Sequence, residues 1–132
     1  MDNTVNLVHA KVRNRMSITT TSRIEDGFGI IDLAGKLTLG PTLREVRDSA
    51  RNLLEKEKLA GLILDASEVT LVDSSGLGEL TRVYTTAAKR NCPIRLVGAS
   101  DNFQKLLHLT KLDAVLLPAD SIASAKNQIK SR

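Results

Sequence analysis

The sequence predicts an α/β fold, in one domain built on a mixed, mostly parallel sheet of four to five strands with about four helices. The first observation is a pair of β-rich segments, residues 17–24 and 28–37, separated by the turn sequence Glu-Asp-Gly. Such a pair indicates a β-hairpin. The second observation is that apolar segments alternate with helical segments along the rest of the chain. This alternation favours parallel strands with helices packed on them.

The first predicted helix lies within residues 40–58. Pro41 suits the first turn of a helix, and Thr42 with Glu45 fits a capping box. The apolar residues of this segment recur at helical spacing and are Leu43, Val46, Ala50, Leu53 and Leu54. The apolar run that follows, residues 61–66, predicts a strand that is covered on both faces and succeeded by a short linker.

The remaining segments predict further helices and strands in alternation. The next helix ends near Asn91, and its shared face consists of Leu77, Leu80, Tyr84, Ala87 and Ala88. After another strand, residues 100–112 predict a helix for which Ser100 is a candidate N-cap. Residues 113–120 can supply a final short strand, and residues 121–132 predict a closing helix. The inner face of that helix consists of Ile122, Ala125 and Ile129.

The net charge is modest, at +4, from nineteen basic and fifteen acidic residues. Part of the basic excess lies near the two ends of the chain, at Lys11, Arg13, Arg15, Lys126, Lys130 and Arg132. A nucleic-acid-binding protein usually carries a basic stripe with stacking aromatics or a recognisable motif, whereas aromatic residues make up only 2% of this chain. We therefore expect solvated basic ends and no direct contact with nucleic acid.

Cys92 is the only cysteine, so an internal disulfide is impossible and a reducing cytoplasm suits the chain. We expect its thiol to be buried or inert. No apolar run is long enough to span a membrane, so membrane insertion is not expected. Residues 1–15 are polar and basic and lack the apolar core of a signal peptide, which predicts a mobile arm or an extra strand. The composition thus predicts a soluble cytoplasmic protein.

The stretch Leu-Val-Asp-Ser-Ser-Gly-Leu-Gly-Glu-Leu, residues 71–80, is the main candidate for a functional site. Asp73, Ser74 or Ser75 can each accept hydrogen bonds from the free N–H groups of the following helix. Gly76 and Gly78 leave the turn uncovered by bulky side chains, so that a partner could approach closely. A phosphate on a serine here would meet the positive end of the helix dipole. From spacing alone, simple helix capping fits better than a phosphorylation switch.

Enzymatic sites find little support in the sequence. A nucleophile elbow needs Gly-x-Ser-x-Gly, but Val72 stands two residues before Ser74, and Ser75 lies between Asp73 and Leu77. No P-loop pattern occurs. The two histidines and the one cysteine are too widely spaced for a zinc motif, and they are His9, His108 and Cys92. No carboxylate pair stands out, so we expect neither an enzyme nor a cofactor.

Residues 62–91, from Leu-Ile-Leu-Asp-Ala-Ser to Lys-Arg-Asn, resemble the core of the STAS domain, named from sulphate transporters and anti-sigma-factor antagonists. The resemblance extends from about residue 16 to residue 129 and is closest to the small, free-standing bacterial antagonists. Strand, Asp-Ser-Ser-Gly-Leu-Gly and helix occur together in the expected order. The resemblance implies a single STAS-like domain over residues 16–132, preceded by an N-terminal arm over residues 1–15.

The family resemblance also implies a regulatory role. In the family, the first serine after the aspartate is phosphorylated by the anti-sigma factor, which is itself a serine kinase; here this is Ser74, with Ser75 as the fallback. The dephosphorylated antagonist binds the anti-sigma factor and releases sigma, phosphorylation weakens that binding, and a serine phosphatase restores it. Asp73 would orient the turn or contact the kinase. The surface would be shaped by Gly76, Leu77 and Gly78, in a monomer or weak dimer.

One residue departs from the pattern of the antagonists and keeps other functions open. The better-known antagonists have an aspartate after the leucine of their Gly-x-Leu segment, where this chain has Thr38. Because threonine is uncharged, binding to a kinase-type anti-sigma factor, or the phosphorylation chemistry, can differ. A second hypothesis is a STAS scaffold or partner subunit of a signalling or lipid-transport complex without phosphorylation. A third is a small hydrolase with Ser74 as nucleophile.

Overall fold

The structure is a computed structural model that describes residues 17–131. The predicted arm over residues 1–15 and His9 lie outside the described residues. The elements are β1 (Ile18–Glu25), β2 (Phe28–Leu37), α1 (Arg44–Lys56), β3 (Gly61–Val72), α2 (Ser74–Ala88), β4 (Ile94–Val97), α3 (Asp101–Leu109), α4 (Asp113–Leu116), β5 (Pro118–Ala119) and α5 (Ile122–Lys130).

The described strands form a five-stranded sheet in the order β1-β2-β3-β4-β5. The first two strands make the predicted antiparallel hairpin, whose last pair is Glu25 and Phe28. Asp26 and Gly27 join them with φ angles of 55° and 82°, as a two-residue hairpin turn with two positive φ angles requires. The other three pairings are parallel, so the predicted mixed, mostly parallel sheet is confirmed.

Helices cover the two faces of the sheet unequally. Successive side chains of a strand point to opposite faces, so Ile31 and Leu33 of β2 face a large core shared with the first four helices. Phe28 and Ile30 of the same strand face a smaller cluster on the other side. That cluster also contains Ala125 and Ile129 of α5, as predicted. The sheet is therefore covered by the first four helices on one face and by α5 on the other.

The predicted capping box at the start of α1 is wrong. The helix begins at Arg44, its N-cap residue Leu43 makes no side-chain capping bond, and the residues before it form turns. The Thr42 hydroxyl oxygen instead accepts a hydrogen bond from the Ile18 N–H, at 3.2 Å. Thr42 therefore ties the β2–α1 loop to the first strand, a tertiary contact that competes with capping.

Strand β3 is longer than predicted, and the expected linker after residue 66 does not exist. The strand continues to Val72, which pairs with Leu37 of β2. Register shifts beside Asp32 and Gly35 accommodate the extra residues. The polar residues from position 67 onward lie on an exposed part of the sheet, so this half of the strand has no continuous apolar run. Its extension places the Asp-Ser-Ser turn directly at the end of a paired strand.

Other boundaries differ by a few residues. Helix α2 ends at Ala88, and Asn91 lies beyond it with a φ of 55°. The segment predicted as a final strand forms the single turn α4 before the two-residue β5. Ser100 is the N-cap of α3, as predicted, and its hydroxyl oxygen accepts a bond from the Phe103 N–H at 3.1 Å. None of the helices within residues 17–131 is long and apolar enough to cross a membrane.

Candidate functional site

Asp73 is the N-cap of α2 and holds two segments together. One carboxylate oxygen accepts a hydrogen bond from the Gly76 N–H at 2.9 Å, which is the expected capping contact. The other oxygen accepts one from the Leu39 N–H at 3.1 Å, and the Asp73 N–H donates to the Leu37 carbonyl at 3.2 Å. The capping role left open among three residues thus belongs to Asp73, which also fastens the β2–α1 loop to the helix.

These bonds also stabilise the negative charge of Asp73. The N–H groups of Gly76 and then Leu39 donate to the carboxylate and lower its pKa from the ordinary value of 3.8. Hydrogen bonds to the charged form favour ionisation, because protonation would remove an acceptor. Asp73 is therefore a carboxylate at neutral pH, at the positive end of the helix dipole.

Gly76 brings the helix into direct contact with the backbone of β2. A Cβ atom at this position would lie 2.0 Å from the Leu37 carbonyl oxygen and 2.9 Å from the Leu37 Cγ. Gly76 is buried, and Leu77 is only 7% exposed within the large core. The structure therefore differs from the expectation that these two residues shape the surface: they position the turn from inside.

The two serines of the turn occupy different environments. Ser74 is exposed, and Gly78, one helical turn further along the same face, is exposed with open space around it. Ser75 is half-buried and precedes Glu79 by one turn, and the Glu79 side chain is only 5% exposed beside Arg47. A phosphate on Ser75 would approach a buried carboxylate, whereas a phosphate on Ser74 would project into solvent.

The loop that follows β2 completes the surface around Ser74. Thr38 is half-buried and stands between Leu37 and Leu39, both of which are hydrogen-bonded to Asp73. The structure thus brings Thr38 to the same turn, as the resemblance implied. Sequence reasoning did not single out Leu39. In the structure this residue is 78% exposed next to the turn. The pattern that could have indicated an exposed apolar residue is a leucine between Thr38 and Gly40 in a loop.

His108 and Cys92, which could take part in catalysis, make no contact with Ser74 among the hydrogen bonds of residues 17–131. His108 is an exposed residue of α3, and its Nδ1 lies 3.0 Å from the Asp113 carboxylate. No hydrogen bond within residues 17–131 joins a histidine to Ser74. Cys92 is buried as predicted, and burial raises the pKa of its thiol to about 11. Over the same described range, no three His, Cys, Asp or Glu residues are grouped as a metal site would require.

Comparisons with solved structures agree with this fold. An anti-sigma factor antagonist from Mycobacterium paratuberculosis matches with 22% sequence identity and a TM-score of 0.73, covering 86% of this chain and 95% of that one. The Bacillus cell fate determinant SpoIIAA, in its phosphorylated form, matches with 15% identity and a TM-score of 0.64, covering 84% and 99%. At these identities the likeness establishes the fold alone.

The same fold also occurs inside a transporter. The murine anion transporter Slc26a9, in its inward-facing state, matches with 16% identity and a TM-score of 0.73, covering 96% of this chain and 24% of the transporter. The family model described as "Mlab, STAS domain" matches residues 20–118, which include the whole Asp-Ser-Ser turn and both segments fastened to it. The chain therefore belongs to the STAS-domain family.

Proposed function

We propose that this protein is an anti-sigma-factor antagonist, a binding module that sequesters a kinase-type anti-sigma factor and is released when Ser74 is phosphorylated. The observation that carries the proposal is the position of Ser74, which is exposed at the first residue of α2 on a turn fastened by Asp73. A kinase needs an accessible hydroxyl, and a switch needs that hydroxyl on a contact surface.

The physical effect of phosphorylation follows from this position. Phosphorylation adds about −1.5 to −2 charges and three strong acceptor oxygens. At the start of a helix, free N–H groups and the dipole tolerate this charge, so the domain stays folded. A partner that had packed against the neutral hydroxyl would instead meet a hydrated dianion. Phosphorylation would therefore weaken binding without unfolding the antagonist.

The similar structures supply support of a second kind. One is described as an anti-sigma factor antagonist and another as a phosphorylated form of SpoIIAA. By analogy, a serine phosphatase would reset the switch, and the chain would turn over no substrate itself. Its effect on transcription would be indirect, through the released sigma factor in a bacterial cytoplasm, with no direct contact to nucleic acid. We expect it to act as a monomer or weak dimer.

Phosphosite mapping tests this proposal. The protein is incubated with ATP and the kinase-type anti-sigma factors encoded near its gene, and the products are mapped by tandem mass spectrometry. We expect modification at Ser74, its loss in Ser74→Ala, and its persistence in the matched variant Ser75→Ala. Absence of phosphate from both serines, with kinases active on other substrates, would sink the switch.

A second function is favoured by Thr38 and by the family comparison. Thr38 offers no charge where the better-known antagonists have an aspartate, and the matching family model carries the description "Mlab". A STAS subunit of a signalling or lipid-transport complex would use the same surface without phosphate turnover. Its mark would be a non-kinase partner whose affinity is the same for wild-type protein and Ser74→Asp.

A further inference from the structure

Charged side chains line the junction of α1 and α2 and the depression that opens between the ends of the two helices. The two helices lie side by side and run in the same direction. Arg47 of α1 meets Glu79 of α2 at 3.3 Å near their starts, and Arg90 donates to the Leu54 carbonyl at 3.4 Å near their ends. We call this feature the α1–α2 groove; its polar residues are Arg44, Arg47, Asp48, Arg51, Glu55, Glu79, Arg82, Thr86, Lys89 and Arg90.

The α1–α2 groove carries an excess of positive charge. Its six cations face three carboxylates, which leaves a net charge of +3. Asp48 is shared by Arg44 and Arg51, at 3.9 and 3.3 Å, so one carboxylate serves two guanidinium groups. Glu79 is shared in the same way by Arg47 and Arg82, at 3.3 and 3.7 Å.

Several of these cations remain available to a partner. The side chains of Arg44 and Arg82 are 71% and 63% exposed, and they lie 3.9 Å from Asp48 and 3.7 Å from Glu79, respectively. Towards the helix ends, a depression of about 430 Å³ is lined by Arg51, Glu55, Thr86, Lys89 and Arg90. The groove thus presents cations along about 10 Å of α1, from Arg44 to Arg51, at 1.5 Å per residue.

The other acidic residue near the start of α1 does not cancel this charge. Glu45 belongs to the adjacent stripe of the helix, together with Ser49. The Ser49 hydroxyl lies 3.0 Å from the Thr20 hydroxyl of β1, which shows that this stripe faces the edge of the sheet. The positive excess is therefore a property of the face turned towards α2.

We propose that the α1–α2 groove binds an acidic segment of the protein partner, with carboxylates spaced about one helical turn apart. The three carboxylates of the groove alternate with its cations, so they would repel a continuous polyanion such as a nucleic acid or an anionic membrane. A protein segment can place its carboxylates against the arginines and leave neutral residues against Asp48 and Glu55. Charge complementarity of this kind favours fast and selective association.

This inference rests on the proposed function, because it concerns the partner that phosphorylation of Ser74 releases. Ser75 lies one turn before Glu79 on the side of α2 that faces α1, and Ser74 lies beside it on the exposed face of the helix. A phosphate on Ser74 would lie about 12 Å along α2 from Arg82, at 1.5 Å per residue, so its negative charge would act mainly on the cations near the start of the groove. The sign is the one the switch requires, since phosphorylation would weaken the attraction and slow association.

A labelled peptide tests the groove without the natural partner. The probe is an alanine-based helical peptide with glutamates at i, i+4 spacing, and its control has lysines at the same positions. Binding is measured by fluorescence anisotropy and by amide chemical shifts at low salt. We expect shifts within residues 44–55 and 79–90 for the acidic peptide only, and a roughly tenfold loss of affinity in Arg51→Glu/Lys89→Glu.

The control variant is Lys105→Glu/Lys111→Glu, on α3 and the turn after it, which changes the net charge by the same amount. Its affinity for the acidic peptide should remain close to that of the wild type. Equal weakening in both double variants, or shifts centred outside the groove, would overturn the proposal. Tighter binding at the same residues by phosphatidylglycerol vesicles or single-stranded DNA would also overturn it, in favour of a polyanion site.

The groove proposal and the proposed phosphorylation switch can fail independently of each other. If a kinase phosphorylates Ser74 but binds wild type and Arg51→Glu/Lys89→Glu equally, the groove proposal fails and the switch stands. If no kinase phosphorylates Ser74 while the peptide results hold, the switch fails and the acidic-segment site stands. Circular dichroism spectra establish that each variant is folded before its affinity is compared.

Discussion

Alanine substitutions at the two glycines of the α2 start should have opposite effects on stability. At Gly76 a new Cβ would lie 2.0 Å from the Leu37 carbonyl oxygen, and this obstacle is backbone within a paired strand. Overpacking in a well-packed core costs about 3 kcal/mol at the upper end of its usual range. The better helix propensity of alanine returns about 1 kcal/mol. We expect Gly76→Ala to lower the free energy of unfolding by about 2 kcal/mol.

Gly78→Ala is the matched control, because the same atom is added two residues later on the same helix. Nothing lies within 4 Å of a Cβ at this position. The substitution should therefore raise the free energy of unfolding by about 0.5–1 kcal/mol through helix propensity alone. Urea denaturation followed by circular dichroism measures both values, with unchanged slopes showing that only stability differs.

A Gly76→Ala protein as stable as the wild type would refute the close packing of α2 on β2. The Gly78→Ala protein tests the surface in addition. If a partner packs beside Ser74, the added methyl group should weaken partner binding although it stabilises the fold. Loss of binding together with a gain of stability cannot come from misfolding.

Three further predictions concern the turn and the buried thiol. Asp73→Ala should lower stability by about 1–2 kcal/mol at neutral pH, since it removes the N-cap. Because the pKa of Asp73 is lowered in the folded state, its contribution is full above the ordinary value of 3.8 and is lost as pH falls through the folded pKa. Urea titrations of wild type and variant should accordingly converge in acid, and a constant difference would contradict this. Leu39→Ala should change stability by less than about 0.5 kcal/mol, because the side chain is exposed. If Leu39 anchors the partner, calorimetry should find a loss of more than about 1 kcal/mol in binding, and unchanged affinity would remove it from the interface. Cys92 should react with a disulfide reagent at pH 8 far more slowly in the native protein than in urea, because burial raises its pKa to about 11. Equal rates would show that the thiol is not protected.

Local patterns predicted most of the fold correctly. The hairpin could be predicted because Asp26 and Gly27 provide the positive φ angles between two β-rich segments. The cap at Ser100 could be predicted because it depends on residues three positions apart. The capping box at Thr42 failed because its hydroxyl bonds to Ile18, a contact across 24 sequence positions that no local pattern contains.

The candidate site likewise has a part that could be predicted from the sequence and a part that could not. The position of Asp73, Ser74 and Ser75 at the start of a helix could be predicted from their types and order. The inward role of Gly76 and the exposure of Leu39 could not, since both depend on how β2 runs beside β3 and α2. The α1–α2 groove was also invisible in the sequence, because its charges come from two helices that only the fold brings together.

The affinity of the partner for the unphosphorylated and the phosphorylated protein tests the central claim most directly. The phosphorylated sample is prepared with the kinase that modifies Ser74 and verified by intact mass, and both affinities are measured by calorimetry. We predict that phosphorylation lowers the affinity by at least about 1.4 kcal/mol, or tenfold, while the circular dichroism spectrum stays the same. Equal affinity of the two forms for the kinase would contradict the account and leave the STAS subunit without a phosphorylation switch as the better description.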